Sequence, residues 1–215
     1  PDGAVFRLVH VGGAVSQRVP PNGVIAFVPR TASNLLTVED NPGSPFLPSV
    51  DVPANGYQLY NLQAAGVYGP VSVQGEWSAA AVQRTVAGLA FVSGVYVFGS
   101  YFLTGAHRGH NRTRGSFDQV EVLRPVVRGR TGGGGYGAVE VAARFAYLDF
   151  DSENLPPDAD GRPIGTRLYE FTAGVNWYLN SYTRVMLNYT AGVPDKVGFG
   201  PTTAHTYGVR TALYW

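Results

Sequence analysis

The feature that most constrains the fold of this 215-residue chain is a period-two alternation of apolar and polar side chains. In the segment 135–150, every second residue of 139–147 is apolar, whereas Glu140 and Arg144 fall on the opposite parity. Successive side chains of a β-strand point to opposite faces of the sheet. The pattern therefore predicts a strand with one apolar face and one polar or small-residue face.

The alternation recurs along the chain, and the segments are separated by residues typical of turns. Six segments show it: Tyr60–Ala64, Val71–Ser78, Gly135–Phe150, Ile164–Leu179, Thr183–Thr190 and Ala204–Trp215. Three further strands are expected at Val5–Ser16, Val24–Arg30 and Ala90–Thr104, and the pattern does not define the facing of the first two. We expect the first two to form a hairpin across Pro20–Gly23. About nine strands at this spacing, with little helix between them, predict an all-β antiparallel sheet.

Strand length bears on whether the sheet is soluble or crosses a membrane. In a soluble sandwich the apolar face forms the core, whereas in an outer-membrane barrel it contacts lipid and the polar face lines the interior. The segments 135–150 and 164–179 exceed the usual five or six residues and suit tilted spanning strands of about 9–11 residues with extensions. Aromatic residues lie near strand ends, as in interfacial girdles: Tyr147, Phe150, Trp177, Tyr178, Tyr182, Tyr214 and Trp215.

The composition agrees with a turn-rich β protein. Charged residues make up 14% of the chain, against about 25% in soluble domains, and there are 28 glycines and 15 prolines. The net charge of +1 gives no bulk attraction to nucleic acid, and the absence of cysteine excludes disulfides and thiolate metal sites. The first residues carry no visible signal peptide, so we expect either that it has been removed or that the chain begins inside a longer one.

One long uncharged segment and the lengths of the connections give further information on the fold. Val86–Leu103 has eighteen residues without a charge, long enough for a transmembrane helix, but its glycines, serines and β-forming residues favour a strand. Short turns at Gly69-Pro70 and Asn180-Ser181 alternate with long connections at Asp151–Pro163 and Ala191–Thr203. Gly105–Gly134 is long although it falls on the short-turn side, and the alternation does not explain it.

Four ordered stretches resemble the phosphate-selective porin O and P family. They are Tyr68–Trp77, Ser93–Tyr96 leading to Ser100–Gly105, Gly137–Asp149, and Gly174–Asn180 continuing into Arg184–Tyr189. Together they extend over about 57–215, and residues 1–56 are expected to supply further strands and a loop. Leu8–Gly12 is similar to a strand near the middle of such porins.

The resemblance implies an antiparallel transmembrane β-barrel of the outer-membrane porin type, with sixteen strands and three copies. The chain, as one domain over 1–215, would be the C-terminal portion and supply roughly half of the barrel. The implied function is passive diffusion of small hydrophilic solutes and ions across the bacterial outer membrane, with arginines along an anion path. The implied partners are outer-membrane lipid, the barrel-insertion machinery and two further copies. Lys196 is the only lysine, so we expect weak anion or phosphate selectivity.

Polar residues on the predicted interior parity are the candidates for lining a pore, because rings of charged side chains set pore selectivity. They are Arg144, Arg184, Arg210, Glu76, Glu140, Glu170, Asn176 and Asn188. The alternative is that the arginines pair with Glu140 and Glu170 and stiffen the wall. Trp215, at the end of an amphipathic strand, is expected to act as an assembly signal.

The sequence predicts no enzyme, no metal site and no cofactor. No nucleophile elbow or catalytic His-Asp grouping is present, and the glycine run Gly132–Gly135 lacks the following Lys-Ser/Thr of a phosphate loop. The acidic residues of 149–160 lack EF-hand spacing, and His107 and His110 have no third ligand nearby. Three functions stay open: a diffusion pore, a non-transporting barrel that serves as scaffold or binding surface, and a soluble sandwich that binds carbohydrate.

Overall fold

The structure, a computed structural model, describes residues 5–27, 50–86, 88–111, 113, 115–126, 134–150, 155, 166–196 and 203–214. No helix in these ranges is long and apolar enough to cross a membrane. The strands are β1 (Arg7–Arg18), β2 (Val24–Phe27), β3 (Val50–Tyr68), β4 (Val71–Arg84), β5 (Leu89–Phe102), β6 (His110–Asn111), β7 (Ser116–Phe117), β8 (Ala138–Asp149), β9 (Thr166–Asn180), β10 (Thr183–Lys196) and β11 (Ala204–Leu213).

One sheet contains nine of these strands. Eight long strands lie in the order β1-β3-β4-β5-β8-β9-β10-β11, each antiparallel to its neighbours, and the short β2 pairs with β3. Over the described residues the sheet is open, with β1 and β11 at its edges. Strands that follow one another along the chain therefore lie side by side, as in an up-and-down meander. The predicted all-β antiparallel fold is confirmed.

The predicted hairpin of the first two strands is wrong. β1 pairs with 57–68 of β3, and β2 pairs with 50–53 of the same strand. The cause is the length of β3, which at 19 residues offers pairing positions to both. Pro20 and Pro21 carry no N–H for a ladder hydrogen bond, so the edge strand is interrupted there and resumes as β2.

Strand β3 begins earlier than the alternation indicates. Its register with β4 shifts between Ala54 and Gly56, which leaves Asn55 as the extra residue of a β-bulge. A one-residue insertion exchanges the two faces of a strand, so the alternation seen after the bulge does not continue before it. The sequence pattern therefore reveals only the second part of β3.

Two further segments form strands. For one of them the sequence allowed either a transmembrane helix or a strand, and for the other it predicted a loop. Leu89–Phe102 is strand β5, which confirms the strand interpretation of the uncharged segment. β10 continues to Lys196, because Ala191–Lys196 stays paired with Thr166–Phe171 of β9. The connection expected from residue 191 therefore comprises only residues 197–203.

The long strands give the sheet two different faces. The apolar face is uncovered by the described residues, and Val9, Leu62 and Val209 are 83%, 60% and 76% exposed there. A row of aligned side chains crosses it from Val141 through Val175 and Leu187 to Val209. Soluble monomers rarely expose a continuous apolar surface of this extent. The opposite, polar face carries the charged candidates.

The aromatic residues near strand ends divide between the two faces. Trp177 and Tyr182 are exposed, at 42% and 63%, as a girdle would require. Phe150 and Tyr178 are instead buried among residues of the polar face. The reason is that neighbouring residues of a strand point to opposite faces. Tyr178 follows the outward-facing Trp177 on β9, and Phe150 has the same parity as Glu140 and Arg144 of β8.

Two tight turns define what we call the short-turn end of the sheet. Gly69-Pro70 joins β3 to β4, and Ser181-Tyr182 joins β9 to β10. Gly69 has a φ of 54°, a left-handed conformation that glycine adopts without a steric penalty. Asn180 stabilises the second turn, because its Oδ1 accepts a 2.8 Å hydrogen bond from the backbone N–H of Tyr182.

The described residues of the long connection between β5 and β8, which the alternation leaves unexplained, fold onto the polar face. We call residues 103–137 the crossing segment, and its hairpin β6–β7 lies within it. On the β1 side, Phe6 stacks on His107 with ring centroids 4.7 Å apart, and His10 lies 5.3 Å from His110. On the other side, Arg108 of the segment forms an ion pair with Glu140 of β8. The segment therefore reaches from one edge strand to the middle of the sheet.

Two apolar clusters on the polar-face side hold these parts together. One cluster joins the crossing segment to the sheet, and its buried residues are Phe102, Ala106, Val120, Val122, Ala138 and Tyr178. At the opposite end of the strands they are Val50, Val52, Ala54, Ala80, Val82, Ala90, Val92, Phe150 and Leu155. Full burial of a Val, Leu or Phe side chain contributes about 1.5–3 kcal/mol, so the two clusters stabilise the packing at both ends of the sheet.

Candidate functional site on the polar face

The best-defined polar group on this face surrounds Glu140, whose side chain is fully buried. Arg108 donates to its Oε1 from Nη2 at 2.6 Å and from Nε at 3.0 Å. Asn176 Nδ2 and Tyr178 Oη donate to Oε2 at 2.9 and 3.0 Å. Both carboxylate oxygens are thus satisfied, as burial of a charge requires. Because Arg108 belongs to the crossing segment, this group fixes the segment to β8 and β9.

Aromatic rings enclose the guanidinium of Arg108. Its Cζ lies 5.4 Å from the ring centre of Phe98 on β5 and 5.6 Å from that of Phe117 on β7. The planar, weakly hydrated guanidinium stacks well on such rings. The ion pair is therefore shielded from water by a ring of the sheet, Phe98, and by a ring of the crossing segment, Phe117.

Arg184 reaches the same group indirectly. Its Nη1 donates to Tyr178 Oη at 3.3 Å, and its Cζ lies 5.4 Å from the Tyr178 ring centre and 5.9 Å from that of Tyr214. Glu140 thus takes its direct ion pair from the crossing segment, while Arg184 of the wall is connected to it through a tyrosine. For Glu140, this arrangement replaces the alternative in which Arg144, Arg184 or Arg210 pairs with it. The pairing of these arginines with Glu170 stays a prediction.

A second polar group lies farther from the short-turn end. Asn61 Nδ2 donates to Glu76 Oε1 at 2.6 Å and to Ser78 Oγ at 2.9 Å. Tyr96 stands directly opposite Glu76 in the register of β4 and β5. The Cζ of Arg144 lies 4.5 Å from the centre of the Tyr96 ring. Glu76 and Arg144 therefore flank one tyrosine.

Next to this second group the polar face encloses a cavity of about 630 Å³, whose described lining comes from seven strands, β1 to β5, β8 and β9. Glu76, Tyr96, Arg144 and the buried Glu170 line its polar part. The remainder of its wall is mainly apolar and continues into the cluster at that end of the strands. It is large enough for a small organic molecule, since ligand pockets typically have about 300–1,000 Å³.

The remaining candidates lie farther along the sheet. Asn188 is exposed on β10 opposite Gly174, where a Cβ would come within 2.3 Å of the Asn188 Oδ1, so the glycine makes room for the amide. Arg210 is exposed on edge strand β11, opposite Met186. Trp215 lies outside the described residues, as do Asp151, Glu153, Asp158 and Asp160 of the acidic loop.

The structure thus brings Glu140, Asn176 and Arg184 together and places Glu76, Arg144 and Glu170 around the cavity. Sequence reasoning missed Arg108, Tyr178 and Tyr96. Tyr178 shares the parity of Glu170 and Asn176 on β9, so parity alone could have found it. Strand β5 carries no charged candidate, so the position of Tyr96 beside Glu76 required the register of β4 and β5. Arg108 lies in a segment without alternation, and only the fold reveals its position beside Glu140.

Comparison with known proteins shows the family to which the chain belongs. The model of the family "Phosphate-selective porin O and P" matches residues 49–211, about three quarters of the chain. The chain belongs to this family. Because the family consists of porins, the prediction that the chain is not an enzyme is confirmed.

Two relatives give the extent of the similarity. Porin O of Pseudomonas aeruginosa is 26% identical over 151 residues, which are 67% of this porin-family chain and 32% of the relative. An uncharacterized protein of Caulobacter vibrioides is 30% identical over 142 residues, 66% of the chain and 25% of the relative. The chain therefore spans about a third and a quarter of the lengths of these two relatives.

Proposed function

We propose that this chain forms part of an outer-membrane porin through which small hydrophilic solutes and ions diffuse passively. The observation that carries the proposal is the contrast between the two faces of one sheet. The apolar face is uncovered along strands of 10 to 19 residues, which exceed or match the length needed to cross a bilayer. The opposite face carries charged and hydrogen-bonding side chains suited to water.

In this proposal the polar face lines the passage and the crossing segment narrows it. The charged candidates and Arg108 then lie beside the moving solute, where fixed charges set selectivity. The family match supports a location in the bacterial outer membrane. A sheet of eight long strands with two free edges fits a chain that supplies half of a sixteen-stranded barrel, since membrane barrels close to satisfy their edges.

Two partners belong to the same proposal. The resemblance supports a homotrimer, and we propose that the barrel-insertion machinery recognises the C-terminal strand with Trp215. Cross-linking of the protein in outer-membrane fractions tests the first: a trimer band is expected, and a monomer at all cross-linker concentrations contradicts it.

The function is tested by conductance of the full-length protein in a planar bilayer. We expect discrete current steps that scale with the conductivity of the salt solution, because a water-filled passage conducts as bulk electrolyte does. Swelling of proteoliposomes in small sugars gives the same test for neutral solutes. A correctly inserted, heat-modifiable protein without conductance or swelling contradicts the proposal.

A second candidate is a non-transporting barrel that acts as scaffold or binding surface. The observation that favours it is the attachment of the crossing segment on two sides, at Phe6 and His10 and at Glu140, as a plug would require. This candidate predicts an inserted protein that does not conduct and that conducts once the segment is shortened.

A further inference from the structure

We propose that the cavity on the polar face is a binding site for a zwitterionic organic solute with an apolar body, such as an apolar amino acid. The inference rests on the proposed function, because it names the class of solute that the passage retains. It goes beyond diffusion of ions, since inorganic ions make no use of an apolar wall.

The apolar part of the cavity comes from side chains that point inward on the polar face. Leu59, Val92, Leu148, Phe150 and Leu168 line it. Val92, Phe150 and Leu168 are buried, whereas Leu59 and Leu148 are half-buried and present part of their surface to the cavity. A water-filled passage for inorganic ions alone has no use for such a wall. An aliphatic or aromatic body placed against it gains roughly 25 cal/mol for each Å² of apolar surface removed from water.

The polar part carries charges of both signs. Arg144 lies over the Tyr96 ring, and the edge of its guanidinium plane carries N–H groups that can bind a carboxylate through two hydrogen bonds. Glu76, opposite Tyr96, supplies negative charge for an ammonium group. The cavity thus presents one cationic side chain, Arg144, and one anionic side chain, Glu76, to a ligand, and the buried Glu170 also contributes to the lining.

This balance selects among ligands. Inorganic phosphate would meet the Glu76 carboxylate and an apolar wall, so both repulsion and desolvation oppose its binding. An organic anion uses Arg144 but not Glu76, and an organic cation uses Glu76 but not Arg144. A zwitterion with an apolar body makes all three contacts, and it fits a cavity of about 630 Å³.

The test is binding by the full-length protein in lipid nanodiscs, followed by isothermal titration calorimetry. L-Phenylalanine is the probe, and it is compared with phenylacetate, phenethylamine, glycine and inorganic phosphate, each of which lacks one or more of its three features. We expect phenylalanine to bind at least about tenfold more tightly than each, because each competitor lacks a charge-assisted hydrogen bond, the buried apolar body, or both. Equal or tighter binding of phosphate or glycine overturns the proposal.

Three substitutions assign the contacts. Arg144→Gln should weaken phenylalanine about tenfold and leave phenethylamine unchanged, and Glu76→Gln should weaken phenethylamine and leave phenylacetate unweakened. Leu148→Ala should weaken phenylalanine and leave glycine unchanged. Arg7→Gln is the matched control, because Arg7 also lies over a tyrosine ring, 5.1 Å from the Tyr68 centre, but outside the cavity. Unchanged phenylalanine binding in Arg144→Gln overturns the proposal.

Conductance of the same preparations separates this inference from the proposed function. A protein that conducts but does not bind phenylalanine retains the porin function and contradicts the binding site. A protein that binds phenylalanine but does not conduct retains the site and contradicts the porin function. Where both hold, phenylalanine should reduce the ion current in wild type and in Arg7→Gln, and less in Arg144→Gln.

Discussion

At the scale of single residues, one ion pair connects the crossing segment to the wall. Glu140 is fully buried, and Arg108 supplies two of its four hydrogen bonds. Removal of one partner from a buried pair leaves an uncompensated charge, whereas replacement of both by residues of similar shape is often close to neutral. The pair should therefore behave differently in single and double substitutions.

We expect Arg108→Met to reduce the free energy of unfolding by about 3–5 kcal/mol, because the Glu140 carboxylate then stays buried without its cation. The double variant Arg108→Met with Glu140→Gln should recover most of this loss, since glutamine still accepts from Asn176 and Tyr178. Urea unfolding of the protein in lipid vesicles measures both. Additive losses in the double variant would contradict the assignment.

Single residues on the apolar face test the membrane assignment. Val175→Arg places a charge in the aligned row of apolar side chains, and we expect it to cost about 2–4 kcal/mol if the row lies at the bilayer midplane. Asn188→Arg, one strand away on the polar face, is the matched control and should cost little because the new side chain meets water. The same unfolding measurement checks both, and similar costs at the two positions would argue against a lipid-facing surface.

At the scale of elements, the sequence predicts the strands well and the crossing segment not at all. The alternation continues through β8, β9 and the first part of β10, because each of these strands has apolar side chains on one face and polar or small side chains on the other. The pattern breaks at Asn55, where a bulge exchanges the faces, and it is absent between residues 103 and 137. The position of that segment depends on contacts with distant strands, which local alternation does not encode.

The crossing segment is also the element whose removal should change transport. Asp118 N donates to Gly109 O at 2.9 Å, so the chain ends on either side of residues 110–117 already lie together. Replacement of residues 110–117 by an Asn-Gly turn keeps Arg108 on Glu140 and removes the hairpin from the polar face. We expect single-channel conductance to rise while the unfolding free energy changes less than in Arg108→Met.

A matched control changes the segment without shortening it. Ser116→Ala lies in the same hairpin, where Ser116 is exposed, and should leave conductance unchanged. Equal conductance in the shortened protein and in wild type would mean that the segment does not narrow the passage.

At the scale of the whole molecule, the candidate site could be predicted in part. The parity of each strand placed Glu76, Glu140, Arg144, Glu170 and Asn176 on one face, and the structure has them there. Parity does not give the depth of a residue along the strand or its partners across the sheet. The register of the strands was therefore needed to separate the polar group around Glu140 from the cavity near Arg144. The position of Arg108, which lies outside the long strands, could be known only from the fold.

The charge of that face determines our last prediction, which is weak anion selectivity rather than a dedicated phosphate channel. Arg108 and Glu140 neutralise one another, which leaves Arg144, Arg184 and Arg210 against Glu76 and Glu170, a difference of 3 − 2 = +1 among these candidates. Capture of a multivalent anion requires uncompensated positive charge in a narrow passage, because salt screens the field within about 8 Å at physiological ionic strength. The reversal potential under a chloride gradient should therefore show a small anion preference that added phosphate barely changes. Glu76→Gln should strengthen the preference, since it removes a negative charge, whereas Ser116→Ala should not. A strong anion preference in wild type, with chloride current blocked by low phosphate, would contradict this prediction and favour phosphate selectivity.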